Sequence, residues 1–140
     1  MKLKLILASL TCGASFLLAD MVVAPNTLPA NAQGFIKQNF PTAQIMLVKR
    51  DLDSFDVTLN DGTEIDFNIN GQWTSVDGKY KAIPTGFLGQ AIVSKVKAAQ
   101  PNAAIIDVDR KIGGFKFKFN NMMEVYTDMN GNVLGQKFDD

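Results

Sequence analysis

Histidine is absent from the 140 residues, and cysteine occurs once, at Cys12. Ser-His-Asp and Cys-His catalytic arrangements therefore cannot be assembled, and a transition-metal site would lack its two best ligands. No glycine-rich phosphate loop is present, because Gly113-Gly114 falls between two expected strands rather than ahead of a helix. An excess of positive charge is missing too. Lys and Arg together number 14, as do Asp and Glu, so a phosphate backbone or an anionic membrane has little to attract. These absences leave no catalytic, cofactor-binding or metal-ligating residue to nominate, and they point away from an enzyme and from nucleic acid. What is present, 46% hydrophobic and 20% charged residues, suits one globular body.

The chain opens on Lys2 and Lys4 followed by an apolar or small run from Leu5 to Ala19, interrupted only by Ser9, Thr11 and Ser15. Residues 1–19 read as a secretory signal, with Leu17-Leu18-Ala19 as the cleavage site before Asp20. At roughly 15 residues the run is short of the ~20 that span a bilayer, which argues against an uncleaved anchor. Lipidation at Cys12 is disfavoured by the Ser9-Leu10-Thr11 context. Cleavage would leave a chain from residue 20 to 140 with no thiol, stabilised by packing alone, and with twelve basic against fourteen acidic residues, a net charge of −2. No later apolar run is long enough to cross a membrane, so the expected location is the periplasm or outside the cell.

Shifted by 60 residues, the sequence superimposes on itself without a gap. Leu28 meets Leu88, Pro41 meets Pro101, Ala43 meets Ala103, Ile45 meets Ile105, Val48 meets Val108 and Arg50 meets Arg110. The register continues through Phe55 and Phe115, Asn60 and Asn120, Glu64 and Glu124, Asn70 and Asn130, and Gly71 and Gly131. Two units, about 28–80 and 83–138, are too few for a solenoid and should pack into one domain.

Each unit begins with helical spacing and then switches to a period of two. Ala32, Phe35, Ile36 and Phe40 share a helix face, with Pro29 suited to the first turn and Pro41 as the stop. In the second unit Phe87, Leu88, Ala91, Ile92, Val96 and Ala99 predict one longer helix capped by Thr85 and ended by Pro101. Strands are expected at Ile45–Val48, around Phe55-Val57-Leu59, around Ile65-Phe67-Ile69 and at Trp73–Val76, and again at the equivalent positions of the second unit. Phe115, Phe117 and Phe119 alternate with Lys116 and Lys118, the pattern of a core strand with a solvated back rather than a base-stacking platform. The expected core sets Phe35, Ile36, Phe40, Leu88, Ile92 and Val96 of the helices against Phe55, Val57, Phe67, Phe115, Phe117 and Val125.

Asn60-Asp61-Gly62 predicts a three-residue hairpin loop with Gly62 in the left-handed region. The second unit has Asn120-Asn121-Met122 there, and a methionine fits that conformation poorly, so a different closure is expected.

Three stretches are similar to the PepSY-like family of β-lactamase-inhibitor-like proteins of Gram-negative bacteria. They are Phe40-Pro41-Thr42-Ala43-Gln44-Ile45, Phe55-Asp56-Val57-Thr58-Leu59 through Asp61-Gly62, and Glu64-Ile65-Asp66-Phe67 through Asn70-Gly71-Gln72-Trp73-Thr74-Ser75-Val76. The second copy departs from the pattern at Thr127, Val133 and Met122. The resemblance implies an α+β fold in which two tandem helix-plus-four-stranded antiparallel meander units form one curved sheet with both helices on one face. It also implies a secreted domain that binds or inhibits another protein and has no catalytic residues.

A partner-binding surface is expected on the face of the sheet away from the helices, where Asp56, Glu64, Asp66, Lys116, Lys118, Glu124 and Tyr126 alternate away from the core residues. Trp73 depends on the parity of the Asn70-Gly71 turn. A two-residue turn pairs Asn68 with Trp73 and puts the indole on that outer face, whereas a three-residue loop turns it inward. The same two-residue turn at Asn130-Gly131 would set Val133 opposite Asp128. A periplasmic small-ligand carrier is the alternative function. Less favoured is a hydrolase using a pair drawn from Glu64, Asp66, Glu124 and Asp128. Asp128-Met129-Asn130-Gly131-Asn132 lacks the spaced ligands of a calcium loop and reads as a strand-linking turn.

Overall fold

Among the described residues every strand of the sheet pairs with its neighbours in sequence, giving one nine-stranded antiparallel meander with two α-helices. The computed structural model describes residues 20–139; the expected signal segment and Cys12 lie outside the described residues. The strands are β1 (Met21–Val23), β2 (Ile45–Arg50), β3 (Ser54–Leu59), β4 (Glu64–Asn68), β5 (Trp73–Asp77), β6 (Ile105–Lys111), β7 (Gly114–Phe119), β8 (Met123–Asp128) and β9 (Val133–Phe138). Helix α1 (Ala30–Asn39) precedes β2, and α2 (Gln90–Ala99) precedes β6. Only β1 has no counterpart among the expected strands, since its three residues carry no alternation.

Pro29 occupies the N-cap of α1, and the helix ends at Asn39 before Phe40-Pro41, where the residue preceding proline is pushed out of helical geometry. The second helix is not the single element expected. A 3₁₀ turn, Gly86–Leu88, is separated from α2 by Gly89, whose φ of 85° cannot continue a right-handed helix. Thr85 heads the 3₁₀ turn without a side-chain capping bond.

Strand alternation sends Val57, Leu59, Ile65, Phe67, Val76, Val108, Phe117, Phe119 and Val125 into a core that is closed to solvent. Ala32 and Ile36 of α1 and Val96 of α2 belong to the same apolar cluster. Phe35 and Ile92 are only partly buried against it. Phe35 meets Phe67 edge-on at 5.7 Å and Phe87 at 5.0 Å. Central β5 and β6 are joined through Val76 opposite Val108, so the first and second halves of the chain share one sheet.

The Asn60-Asp61-Gly62 loop closes as expected, with Leu59 N–H donating to the Thr63 carbonyl and Gly62 at φ 91°. Its counterpart does not close differently. Met122 takes φ 69° and donates its N–H to the Phe119 carbonyl, just as Gly62 donates to that of Leu59. Side chains fix this conformation against its local cost. Asn120 exchanges hydrogen bonds with the Ala104 backbone, and the Asn121 carboxamide oxygen accepts the Met123 N–H. Met122→Gly should therefore raise the unfolding free energy by about 0.5–2 kcal/mol, because relief of left-handed strain, ~1–3 kcal/mol, exceeds the extra unfolded-state entropy of glycine, ~0.5–1 kcal/mol. Urea denaturation would show this as a higher midpoint; a lower one would mean that packing of the Met122 side chain dominates.

Candidate functional site

The face of the sheet away from the apolar cluster is built from two lateral rows that the pairing register defines. One runs Lys49, Asp56, Asp66, Ser75, Asp109, Lys116, Tyr126 and Gly135, each opposite the next on adjacent strands. The other runs Thr58, Glu64, Asp77, Asp107, Lys118, Glu124 and Lys137. Glu64, Asp66, Lys116, Lys118, Glu124 and Tyr126 are thus brought onto one face. Its central members are half-buried, and Glu124 is buried.

Trp73 is not on this face. Instead of a two-residue turn, Ile69-Asn70-Gly71 form a three-residue loop: Asn68 N–H donates to the Gln72 carbonyl and Gly71 N–H to the Asn68 carbonyl. A type I′ turn would need positive φ at both Asn70 and Gly71, and only Gly71, at 80°, adopts it. The Asn68 side chain selects the longer loop by accepting the N–H groups of Asn70 and Gln72. A bulge between Asp66 and Phe67 then sets Trp73 opposite Phe67. The indole stacks on Phe115 at 6.0 Å, meets Phe87 at 5.1 Å, and lies under the Arg110 guanidinium at 4.3 Å. Arg110 Nε also donates to the Trp73 carbonyl.

The second loop repeats the device. Asp128 accepts the N–H groups of Asn130 and Asn132, and Val133 falls opposite Thr127 rather than Asp128. Tyr126 nevertheless reaches the outer face, because its position follows from its pairing with Lys116 and not from the turn.

Charge is unevenly distributed along the rows. On β6 to β9 carboxylates and ammoniums interleave: Lys116 lies 3.4 Å from Asp109 and 3.9 Å from Glu124, and Lys137 lies 3.9 Å from Glu124. Lys118 Nζ lies 2.6 Å from Asp139. Tyr126 donates its hydroxyl to Glu124 at 2.8 Å, and this bond holds its proton above the ordinary phenol range. Partial burial, the largest influence on Lys116, opposes its charge, but Asp109 and Glu124 outweigh burial and hold the ammonium above its usual pKa.

On β3 to β6 the arrangement is like against like. Asp56 faces Asp66, and Glu64, Asp77 and Asp107 succeed one another across three strands. Lys79 bridges Glu64 at 2.9 Å and Asp77 at 3.3 Å. Among the described residues Asp56, Asp66 and Asp107 have no cation within ion-pair distance. Burial, then the Asp56 charge and a hydrogen bond to Asp56, pushes the Asp66 carboxyl up to about 7. Burial, then the charges of Asp109 and Asp77, pushes Asp107 up to about 7 as well. The Asp107 Oδ1 is sealed from solvent and has no hydrogen-bond partner. Leu47, Lys49, Asp56, Thr58, Glu64 and Asp66 line an open depression of about 280 Å³.

Asp77, Asp107 and Asp109 were not foreseen as members of this face. Alternation about Val108 would have revealed Asp107 and Asp109, whereas their juxtaposition with Asp77 depends on the pairing of β5 with β6, which no local pattern encodes. Among the described residues no cluster of three or more His, Cys, Asp or Glu is arranged to hold a metal ion, and no helix is long and apolar enough to cross a membrane.

The family model described as "Putative beta-lactamase-inhibitor-like, PepSY-like" matches residues 19–61 and 53–135. No curated protein matches the chain. Among solved structures, one from Bacteroides vulgatus ATCC 8482, described as "a putative periplasmic protein of unknown function", is 32% identical, with 85% of this chain and 99% of that one aligned at a TM-score of 0.78. Another from Bacteroides thetaiotaomicron, described as "a putative calcium-regulated periplasmic protein", is 27% identical, with 84% and 96% aligned at the same TM-score of 0.78.

Proposed function

Since the chain belongs to the PepSY-like, beta-lactamase-inhibitor-like family, we propose that it is a non-enzymatic periplasmic module that binds another protein on the outer face of its sheet. The observation that carries this reading is the charge pattern of that face. Like charges set directly opposite one another on adjacent strands destabilise a sheet, and features that oppose stability without a local gain are expected where a protein functions. Tyr126, anchored through Glu124, supplies an amphipathic aromatic group of the kind that dominates binding surfaces. The depression by Asp56 and Asp66 is lined mainly by charged and polar side chains, whereas a small-ligand site is lined predominantly by apolar ones. Membership of the family supplies a fold and does not by itself establish inhibition.

The same reading takes residues 28–80 and 83–138 as two copies of one unit in a single domain, with both helices over the core side of a common sheet. It is supported by α2 beginning sixty residues after α1, at Gln90 against Ala30, and β7 sixty after β3, at Gly114 against Ser54. Bulges recur at equivalent positions as well, between Asp66 and Phe67 and between Tyr126 and Thr127. The homologous structures described as periplasmic support the location, and removal of residues 1–19 on export belongs to the proposal. Calcium regulation, named for one relative, is not part of it, because the carboxylates of this face are not grouped as a cation cage.

Immobilised protein should capture a partner from periplasmic extract of its own host, and Tyr126→Ala together with Glu64→Arg should abolish that capture. Retention of the same partner by the double variant, or no captured protein at all, would overturn the reading.

A further inference from the structure

Resting on that reading, we infer that the partner presents lysine or arginine side chains to the β3–β6 half of the outer face, where aspartates stand opposite one another on adjacent strands. The argument begins with geometry. Asp56 and Asp66 stand directly opposite on β3 and β4, and Asp77 and Asp107 directly opposite on β5 and β6. Within the chain, the cations that face these groups are few. Lys49 is the cross-strand neighbour of Asp56, Lys118 is that of Asp107 but ion-pairs with Asp139, and Lys79 is engaged by Glu64 and Asp77. Lys116 on β7 is held by Asp109 and Glu124. Asp66 is otherwise faced by Ser75, whose hydroxyl donates to Asp109 and not to it. A second, independent feature is the Asp107 Oδ1, an acceptor closed off from water that nothing in the chain satisfies. A buried acceptor without a donor makes the ionised carboxylate costly, and because the rest of the Asp107 side chain borders an open hollow, a guanidinium or ammonium brought in by a partner can offset that charge from the exposed side.

The contrast between the two halves narrows the partner. The β7–β9 half carries Lys116, Lys118 and Lys137 against Glu124 and Asp139, so it offers a basic partner no net attraction. Complementarity is therefore confined to one side of the face, and a short basic segment fits it better than a basic surface spread over the whole sheet.

Proton release follows from burial. In the free protein the Asp66 and Asp107 carboxyls stay protonated up to near neutrality. A docked cation favours the ionised form, so binding expels those protons and must strengthen with pH. Each proton released changes the affinity by up to about tenfold per pH unit below the free-state pKa.

The purified protein would be titrated calorimetrically with a six-residue arginine peptide at pH 6 and pH 8, in pairs of buffers of different ionisation enthalpy, with a six-residue glutamate peptide as the comparison. Expected is binding of the arginine peptide alone, about tenfold or more weaker at pH 6 than at pH 8, with net proton release at pH 6. Asp66→Asn and Asp107→Asn should each weaken it at pH 8, while Asp53→Asn, an exposed change of equal charge on the β2–β3 turn, should not. No binding, equal affinity at the two pH values, or equal loss in Asp53→Asn would overturn the inference. The two proposals fail separately: a captured partner that is lost with Tyr126→Ala and Glu64→Arg yet binds equally to Asp66→Asn would leave the docking face standing and remove its cationic, proton-linked occupant.

Discussion

Phe117→Ala should lower the unfolding free energy by about 3–5 kcal/mol, the range found for deleting a large ring from a closed core. Phe117 has no solvent-accessible surface and sits in the middle of β7, with Val108 of β6 directly opposite on one side and Val125 of β8 on the other. Its ring lies 5.9 Å from that of Phe115, which in turn stacks on Trp73. Removing it takes away buried apolar area and leaves a void between β-branched neighbours held by two strand ladders, which have little freedom to collapse inward. Denaturant unfolding at fixed pH would measure the change. A shift of the midpoint with an unchanged slope is expected, since the loss falls on the folded state. A near-neutral result would mean that β7 presents its phenylalanines to solvent and its lysines to the core, inverting both faces of the sheet.

That the phenylalanine face could be named from sequence shows what the chain makes legible. Wherever a strand is polar on one side and apolar on the other, as at Phe115-Lys116-Phe117-Lys118-Phe119, the period of two fixes the face of every residue. The same logic placed Glu64, Asp66, Lys116, Lys118, Glu124 and Tyr126 together. It failed where the backbone departs from a simple period. Trp73 follows a bulge and a three-residue loop, so the parity counted from Asn70-Gly71 is off by one and the indole turns inward. The agents of that departure are the side chains of Asn68 and Asp128, which gather backbone N–H groups, a role that strand alternation does not reveal. Met122 adopts the glycine-like conformation that its type disfavours because Asn120 and Asn121 hold the loop from both sides. Gly89 interrupts what an apolar count makes one helix. The charge imbalance between the two halves was hidden for a different reason. Equivalent positions exchange Asp56 and Asp66 for Lys116 and Tyr126, and the unlike neighbours of each are known only once β5 is paired with β6.

Stability should fall as pH rises from about 4 to about 7, opposite to the usual behaviour of aspartates in folded proteins, and Asp66→Asn combined with Asp107→Asn should remove most of that fall. Ion-paired carboxylates have lowered pKa values in the native state and lose stability on acidification. Asp66 and Asp107 are raised, from 3.8 to about 7, chiefly by burial. Between those limits the native state holds protons that the unfolded chain has already released, so each increment of pH favours unfolding, and the penalty is complete above about 7. At 1.36 kcal/mol per pKa unit the two shifts would be large, but both side chains are partly in water, which screens them; about 1–2 kcal/mol each is the expected size. Asp61, Asp128 and Asp139 are shifted the other way, Asp61 chiefly by the Thr63 N–H, Asp128 by the Asn132 side chain and Asp139 by Lys118. Their contributions are present above the ordinary carboxylate pKa and are lost only as pH falls below it, outside the window of interest. Urea unfolding at pH 4, 6 and 8 separates the two groups. The double variant should match the parent at pH 4 and exceed it by about 2–4 kcal/mol at pH 8, with intermediate gains at pH 6. Equal stability of the two proteins at pH 8 would mean that water already solvates Asp66 and Asp107 fully, and the outer face would then hold no unfavourable charge for a partner to relieve.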